Sequence, residues 1–126
     1  DGAARILVGD LNIAPHPSDV WSHKQLLKIV SHTPVETDAL EAARAAGGFT
    51  DLARHIHDDD QRLYSWWSYR AKDWAASNKG RRLDHIWTTD AATALTDMDS
   101  YRVHLGYRGG WKPSDHAPIS IKVQAP

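Results

Sequence analysis

Four short polar clusters contain the residue types that metal-assisted hydrolysis needs. They are residues 9–12 (GDLN), 64–70 (YSWWSYR), 81–85 (RRLDH) and 112–118 (KPSDHAP). The carboxylates of Asp10, Asp84 and Asp115 are suitable ligands for a hard divalent cation, and the imidazole of His116 can transfer a proton. A single Asp at a strand end is usually a turn or cap residue. The four clusters together favour a chemical role.

A phosphodiester is the substrate class that suits these groups. Its negative charge repels hydroxide, so a divalent cation and a protonated imidazole neutralise it while a carboxylate takes the proton of the attacking water. Residues 64–82 also interleave aromatic rings with basic side chains. Because basic groups pair with phosphates and flat rings accept an unstacked base, this segment predicts a nucleic-acid surface.

Strands are expected to deliver these clusters to a sheet edge. The apolar run 6–8 predicts a strand that is buried on both faces and ends at Asp10. Residues 63–68 and 83–88 are expected to form an antiparallel pair. Alternating apolar residues predict two half-buried strands over 101–105 and 119–123.

Two helices are expected in the first half of the chain. Ser18 or Asp19 is predicted to cap the first. The second is bounded by a capping box that begins at Thr33 and by the glycine pair that begins at Gly47. The residues expected to pack are Leu26, Leu27 and Val30 in the first helix, and Val35, Ala39, Ala42 and Ala46 in the second. Helices early and strands late indicate an α/β or α+β layer packing.

Composition limits the protein class. The chain has 126 residues, 41% hydrophobic and 25% charged, which is typical of one globular domain and excludes the membrane-spanning and disordered classes. A net charge of -1 means that nucleic-acid contact must come from a local basic patch. The sequence has no Cys, which excludes a thiolate zinc site and agrees with a cytoplasmic location. It starts at Asp1 rather than Met, so we expect a fragment of a longer protein.

In this order, the four clusters resemble the second half of exonuclease III, a member of the endonuclease/exonuclease/phosphatase superfamily, and the bacterial branch is the most similar. The resemblance extends through residues 20–25 (VWSHKQ) and 49–52 (FTDL). It implies an α/β fold that is half of a four-layered α/β sandwich, with one mixed, mainly antiparallel sheet and flanking helices. Residues 1–126 are then expected to be the C-terminal half of this domain, without the N-terminal half.

The resemblance also implies roles for individual residues. Asp10 matches the aspartate that handles the proton of the attacking water or leaving oxygen, and Asn12 matches the residue that orients the phosphate or water. His116 matches the imidazole that contacts the phosphoryl oxygen, and Asp84 matches the carboxylate that orients it. Asp115 matches a metal-binding carboxylate. We expect Asp115, Asp10 and Asn12 to hold Mg²⁺ or Mn²⁺.

The implied substrate is double-stranded DNA with abasic sites or 3′ ends. Trp66 and Leu83 match the walls of a pocket for an abasic deoxyribose, and Arg70 and Arg81 are expected to contact the DNA backbone. Trp67 follows Trp66 on a predicted strand, so one ring is expected in the core and the other toward the substrate.

The implied parent protein is a metal-dependent 3′-5′ exodeoxyribonuclease and abasic-site endonuclease of DNA repair. An asparagine and a metal-binding glutamate of the family belong to its first half, so we expect this chain to be inactive alone. An uncovered sheet face would be apolar, and we expect it to support a homodimer.

Three alternatives remain open at this stage. A non-catalytic nucleic-acid or protein interaction module would not need the five implied site residues together. A superfamily phosphatase acting on a non-DNA phosphoester is disfavoured by the aromatic and basic segment 64–82. His55 and His57, followed by acidic residues 58–60, could form a separate metal cluster, although such runs are more often solvated loops.

Overall fold

The centre of the fold is a three-stranded antiparallel sheet. The computed structural model describes residues 1–125, and strand β5 (Asp84–Thr88) lies between β1 (Ile6–Asp10) and β2 (Thr50–Asp51). Because β5 has a strand on each side, it forms the interior of the sheet, and its last four residues are buried.

Two smaller sheets complete the strand structure of residues 1–125. One pairs β3 (Trp66–Trp67) with β4 (Gly80–Arg81), and the other pairs β6 (Arg102–Val103) with β7 (Ile119–Ser120). Every ladder is antiparallel. The expected α/β class with mainly antiparallel pairing and flanking helices is confirmed, and the pairing is divided over three sheets.

Short helices flank these sheets. Helix α3 (Leu52–Ile56) and helix α5 (Asp90–Ala94) both contact β5, whereas α2 (Pro34–Ala46) contacts β2. The remaining helical elements of the described residues are a 3₁₀ turn at Pro17–Asp19, α1 (His23–Leu26), α4 (Trp74–Ser77) and α6 (Leu105–Arg108). Within residues 1–125, none of the helices has the length and apolar character of a membrane-spanning segment.

Helix α2 has the predicted ends but not the predicted packing. Thr33 is its N-cap residue, and Gly47 follows its last turn. The Thr33 hydroxyl donates to the Glu36 carboxylate at 2.8 Å, and that carboxylate accepts the Ser31 N–H at 2.9 Å. The expectation of a buried apolar stripe is wrong, since Val35 is 80% exposed and none of the three alanines of the stripe is buried. Alanine methyl groups bury little area, so they do not force this face inward.

The first helix begins later than predicted. Its N-cap is Ser22, whose hydroxyl accepts the Gln25 N–H at 3.3 Å, and neither Ser18 nor Asp19 caps it. Asp19 is fully buried, and its carboxylate is used in ion pairs. Of the predicted packing residues, Leu26 is buried, whereas Leu27 and Val30 are exposed.

Strand β1 corrects the expectation of a strand buried on both faces. Ile6 is 44% exposed and Val8 is 64% exposed. Among residues 1–125, β1 pairs only with β5, so it is an edge strand. Ile6 and Val8 are alternate residues that share one face of β1, and their exposure shows that no layer of residues 1–125 covers this face.

The predicted pairing of residues 63–68 with 83–88 is also wrong. The first segment pairs with β4, and the second pairs with β1 and β2. The strand predicted over 101–105 is limited to β6, because Leu105 begins helix α6, and the strand predicted over 119–123 is limited to β7. These β segments contain only two residues each, so their partners depend on packing rather than on local pattern.

Within residues 1–125, the core consists of three apolar clusters. The largest joins α3 and β5 through Leu52, Ile86 and Tyr101, and Val103 of β6 packs against it. Trp66 packs against a second cluster, and Trp67 belongs to the third. The two tryptophans therefore face different sides of β3, as alternation predicts, with Trp67 buried and Trp66 partly exposed.

A buried ion network links the strands to the first loops. The Arg82 guanidinium is fully buried and donates to Asp19 at 2.7 Å and to Asp51 at 2.7 Å, while Arg54 also binds Asp19. Burial alone raises the pKa of Asp19, but the charges and hydrogen bonds of Arg82 and Arg54 outweigh it and lower the pKa to about 2. Arg82 therefore holds together parts of the chain more than 60 residues apart.

Candidate active site

The register of the central sheet brings two carboxylates together. Asp10, the last residue of β1, lies directly opposite Asp84, the first residue of β5. Like charges opposite each other in a ladder repel, so this pairing destabilises the sheet end unless a positive charge lies between them. The N–H of Asn12 donates to Asp10 Oδ1 at 2.9 Å, and Asn12 has φ 57°, a left-handed conformation that Asn tolerates. The chain thus turns sharply just beyond the carboxylate.

His116 lies against these carboxylates. Its Nδ1 is 2.7 Å from Asp84 Oδ2, and its Nε2 is 3.5 Å from Asp10 Oδ2 and 3.9 Å from Asp115 Oδ1. In this arrangement Nδ1–H donates to Asp84, which leaves Nε2 facing the other two carboxylates. The imidazole is 28% exposed, so a substrate can reach it.

The same residues fit a divalent cation. Asp10, Asp84 and His116 each offer one ligand atom, and these atoms all lie within 4.8 Å of one another. Carboxylate oxygens suit Mg²⁺ and Mn²⁺. In the described residues this is the only group of three or more His, Cys, Asp or Glu with such geometry. The alternative cluster around His55 and His57 is therefore not formed, since His55 lies in helix α3.

Asp115 is positioned by the tryptophan pair. Trp66 donates its indole N–H to Asp115 Oδ2 at 2.9 Å, and the backbone N–H of Trp67 donates to the Asp115 carbonyl at 3.1 Å. Trp66 also forms a β-bridge with His116. Strand β3 thus fixes both Asp115 and His116 beside the other two carboxylates.

Ser65 is a positioning residue that the sequence analysis did not identify. Its side chain is fully buried, and its hydroxyl oxygen accepts the N–H groups of Leu83 at 3.1 Å and Asp84 at 3.0 Å. Its carbonyl accepts the Ala117 N–H at 2.8 Å. Ser65 therefore connects the segments that carry Asp84 and His116. Its place beside a tryptophan pair was visible in the sequence, but these partners were not.

An aromatic and basic groove opens beside this site. The cavity measures about 480 Å³, and no carboxylate of residues 1–125 lines it. Lys79 lies 4.7 Å from the Trp21 ring centre, and the Arg81 guanidinium lies 5.1 Å from that of Trp66. Other lining residues are Trp67, Ser68, Arg70, Ala71, Trp74 and Ser77. Trp66 lines the groove and also donates a hydrogen bond to Asp115. The groove therefore adjoins the carboxylates of Asp10, Asp84 and Asp115.

The predicted substrate residues occupy different positions around the groove. Arg70 is exposed on its wall. Arg81 is half-buried and donates to the Ser31 hydroxyl at 2.8 Å, and its burial lowers the pKa of the guanidinium. Leu83 is only 3% exposed and packs in the apolar cluster beneath Trp66, so it supports that ring rather than presenting a surface of its own.

The fold and site geometry agree with a known family. A model described as the Endonuclease/Exonuclease/phosphatase family matches residues 1–116. The chain belongs to this family. The resemblance inferred from the four polar clusters is thereby confirmed.

Individual members of the endonuclease/exonuclease/phosphatase family show the extent of the similarity. An exodeoxyribonuclease of Streptococcus pneumoniae is 30% identical over 118 residues, covering 94% of this chain and 40% of the relative. Exodeoxyribonuclease III of Haemophilus influenzae is 31% identical over 121 residues, covering 90% of this chain and 43% of the relative.

A solved structure shows the same fold. The AP endonuclease of Archaeoglobus fulgidus has a TM-score of 0.90 and 28% identity, covering 99% of this chain and 48% of that protein. This chain therefore spans less than half the length of each of these three relatives.

Proposed function

We propose that this domain is part of a metal-dependent DNA-repair phosphodiesterase with 3′-5′ exodeoxyribonuclease and abasic-site endonuclease activity. The observation that carries the proposal is the hydrogen bond from His116 Nδ1 to Asp84, which leaves Nε2 beside Asp10 and Asp115. The relatives named exodeoxyribonuclease and AP endonuclease support the same reaction class.

The chain's own residues can perform the acid–base part of the reaction. Asp10 is exposed at the strand end and can take the proton of an attacking water. His116 Nε2 can hydrogen-bond a phosphoryl oxygen, while Asp84 keeps the ring in place. We propose that Asp10, Asp115 and Asn12 hold Mg²⁺ or Mn²⁺. The Asp84 carboxylate lies beside them, opposite Asp10. When bound, such a cation supplies positive charge that offsets the phosphate and acidifies a bound water.

The groove supports DNA as the substrate. Its aromatic and basic lining suits a phosphate backbone beside an exposed sugar or base. We propose that Trp66, backed by Leu83, contacts the deoxyribose of an abasic site or the 3′ end, while Arg70 and Arg81 contact phosphates. A DNA-repair role implies a location with the DNA, which is the cytoplasm in a bacterial cell.

We further propose that the active site is composite. The domain covers 40% of the Streptococcus exodeoxyribonuclease and 43% of the Haemophilus enzyme, and β1 presents an uncovered apolar face. An N-terminal half of the same family domain would cover that face and add a metal-binding carboxylate. The domain alone is therefore expected to be inactive, because hard cations are held largely by carboxylate charge.

Cleavage of a duplex with one abasic site in Mg²⁺ tests the proposal. The chain is assayed alone, and then with the N-terminal half of the Streptococcus exodeoxyribonuclease. Activity that appears only on mixing, and is lost in Asp115→Ala or with a chelator, is the expected result. An Asp38→Asn variant, changed at a carboxylate on α2 away from the site, serves as the matched control.

The other outcomes distinguish the alternatives. DNA binding without cleavage in any mixture would overturn the proposal in favour of an interaction module. Hydrolysis of a non-DNA phosphoester, with abasic DNA left intact, would favour a superfamily phosphatase. Full activity of the chain alone would contradict the composite site.

A further inference from the structure

The segment that leads to Asp115 carries the most exposed aromatic ring of the described residues. We call residues 104–113 the aromatic loop. Within it Trp111 is 87% exposed, Tyr107 is 70% exposed and Leu105 is 50% exposed. Exposed apolar side chains grouped in this way usually mark an interaction site.

The base of the aromatic loop is rigidly attached. Arg108 is 4% exposed, lies 5.3 Å from the Tyr69 ring centre and 5.1 Å from that of Trp74, and donates to the Trp67 carbonyl at 3.1 Å. The Tyr69 hydroxyl donates to the Pro113 carbonyl at 2.7 Å. Anchors on both sides of Trp111 reduce the conformational entropy that binding would cost.

The charge around the aromatic loop favours a polyanion. Residues 104–113 contain Arg108 and Lys112 but neither Asp nor Glu, and Lys112 is the exposed one of these two cations. The Lys112 ammonium lies 4.7 Å from the Trp111 ring centre. A flat ring with an adjacent cation can bind a nucleobase face and its phosphate together.

The aromatic loop lies beside the proposed cleavage site. A Cβ added at Gly109 would lie 3.7 Å from Cζ2 of Trp74, which lines the aromatic and basic groove. Trp111 precedes Asp115 by four residues, a separation that an extended chain spans in at most about 14 Å. At the roughly 3.4 Å rise per nucleotide of a duplex strand this reach corresponds to about four nucleotides, and a more extended unpaired strand would span it with fewer.

We propose that Trp111, assisted by Lys112, is a stacking platform for an unpaired base within a few nucleotides of the cleaved phosphate. The proposal rests on the proposed function in that the bound strand is the DNA substrate. It assigns the aromatic loop to the single-stranded part of that DNA, such as a frayed 3′ end, rather than to the paired duplex.

The test measures DNA binding by the whole chain in chelator, so that no strand is cut. One probe is a duplex with a single-stranded 3′ overhang that carries 2-aminopurine, and the other is the same duplex with blunt ends. Trp111→Ala is expected to weaken overhang binding by about 5- to 150-fold, the range for loss of one stacked base. Blunt-duplex binding is expected to change less than twofold, and Trp111→Phe should retain most of the overhang affinity.

Lys112→Ala provides a second readout. It should reduce the slope of log affinity against log salt concentration by about one unit on the overhang probe, because one phosphate contact to the unpaired strand is removed, and it should leave the slope on the blunt duplex unchanged. Trp111→Ala should leave that slope unchanged. Val35→Ala, on the exposed face of α2, is the matched control for removal of an exposed apolar side chain.

Each outcome decides the proposal. If the wild-type chain binds DNA and Trp111→Ala binds the overhang equally well, the stacking role is wrong while the proposed function stands. If the wild-type chain binds neither probe, both are wrong. If Trp111→Ala instead converts a dimer to a monomer with unchanged DNA affinity, the aromatic loop is a self-association surface and the proposal is overturned.

Discussion

His116 Nδ1 lies 2.7 Å from Oδ2 of Asp84, a residue 32 positions earlier in the chain. Since Nδ1–H is engaged by Asp84, the other ring nitrogen faces Asp10 and Asp115. Asp84 is itself fixed by the Ser65 hydroxyl, which accepts its N–H at 3.0 Å. The orientation of the imidazole therefore depends on a series of hydrogen bonds that begins at the buried Ser65 hydroxyl.

Asp84→Asn tests the importance of that orientation. An amide can donate where the carboxylate only accepts, so it permits the wrong tautomer of the imidazole. In the mixed nuclease assay we expect kcat to fall about 10- to 100-fold with a smaller change in KM. Asp38→Asn is the control for the same chemical change away from the site, and equal kcat in both variants would contradict the orienting role.

Ser65→Ala tests the buried hydroxyl. The substitution leaves the N–H groups of Leu83 and Asp84 without their acceptor, so the free energy of unfolding should fall by about 1–3 kcal/mol. Urea denaturation measures this change. Ser77→Ala, at an exposed serine of α4, is expected to change it by less than about 0.5 kcal/mol. A similar small effect at both positions would show that Ser65 does not hold this segment.

Asp19→Asn tests the ion network and its pH dependence. The pKa of Asp19 is about 2 in the folded chain against an ordinary value of 3.8, because Arg82 and Arg54 outweigh the effect of burial. Its ionisation therefore stabilises the fold fully above pH ~4, and about 2 kcal/mol of that stability is lost as the pH falls through the folded pKa.

The variant itself should be less stable than the wild type by about 3–5 kcal/mol near neutral pH, since Arg82 loses a buried partner. That difference should shrink by about 2 kcal/mol between pH ~5 and pH ~2. Denaturation curves for both proteins across this range provide the measurement. A difference that does not change with pH would mean that Asp19 is not ionised against Arg82.

Metal binding should depend on the carboxylate of Asp10, which lies opposite Asp84. We expect Mn²⁺ to broaden the NMR signals of the His116 ring in the wild-type chain, and Asp10→Asn to weaken this binding at least about tenfold because one of few charged ligands is lost. The Asp38→Asn variant should titrate like the wild type. Equal broadening in Asp10→Asn would remove Asp10 from the metal site.

The exposed face of β1 should mediate self-association of the isolated chain. Val8 is 64% exposed beside Ile6, and two copies can cover the same apolar patch around a twofold axis. Light scattering should show a dimer that Val8→Lys converts to a monomer, whereas Val35→Lys on α2 should leave it unchanged. A monodisperse wild-type species of 14.1 kDa would contradict the homodimer.

Sequence patterns predicted the structure correctly where the interacting groups are close together in the chain. Thr33 and Gly47 mark the ends of α2, because capping involves groups within a few residues of the helix end. The apolar stripe starting at Val35 was misread, since periodicity shows which residues share a face but not whether another layer covers it. Similarly, the run beginning at Ile6 was apolar enough for a central strand but lies at an edge.

The amino-acid sequence alone determined the family, through the order of its four polar clusters, and it supplied Asp10, Asp84, Asp115 and His116 as the proposed site residues through their side-chain chemistry. Only the tertiary structure decided how they meet. The strand register sets Asp10 opposite Asp84, the Ser65 hydroxyl accepts the Asp84 N–H, and the buried Arg82 binds Asp19. These contacts join positions 19 to 74 residues apart. Such contacts arise from the packing of the whole chain, whereas side-chain chemistry and helix caps are local properties.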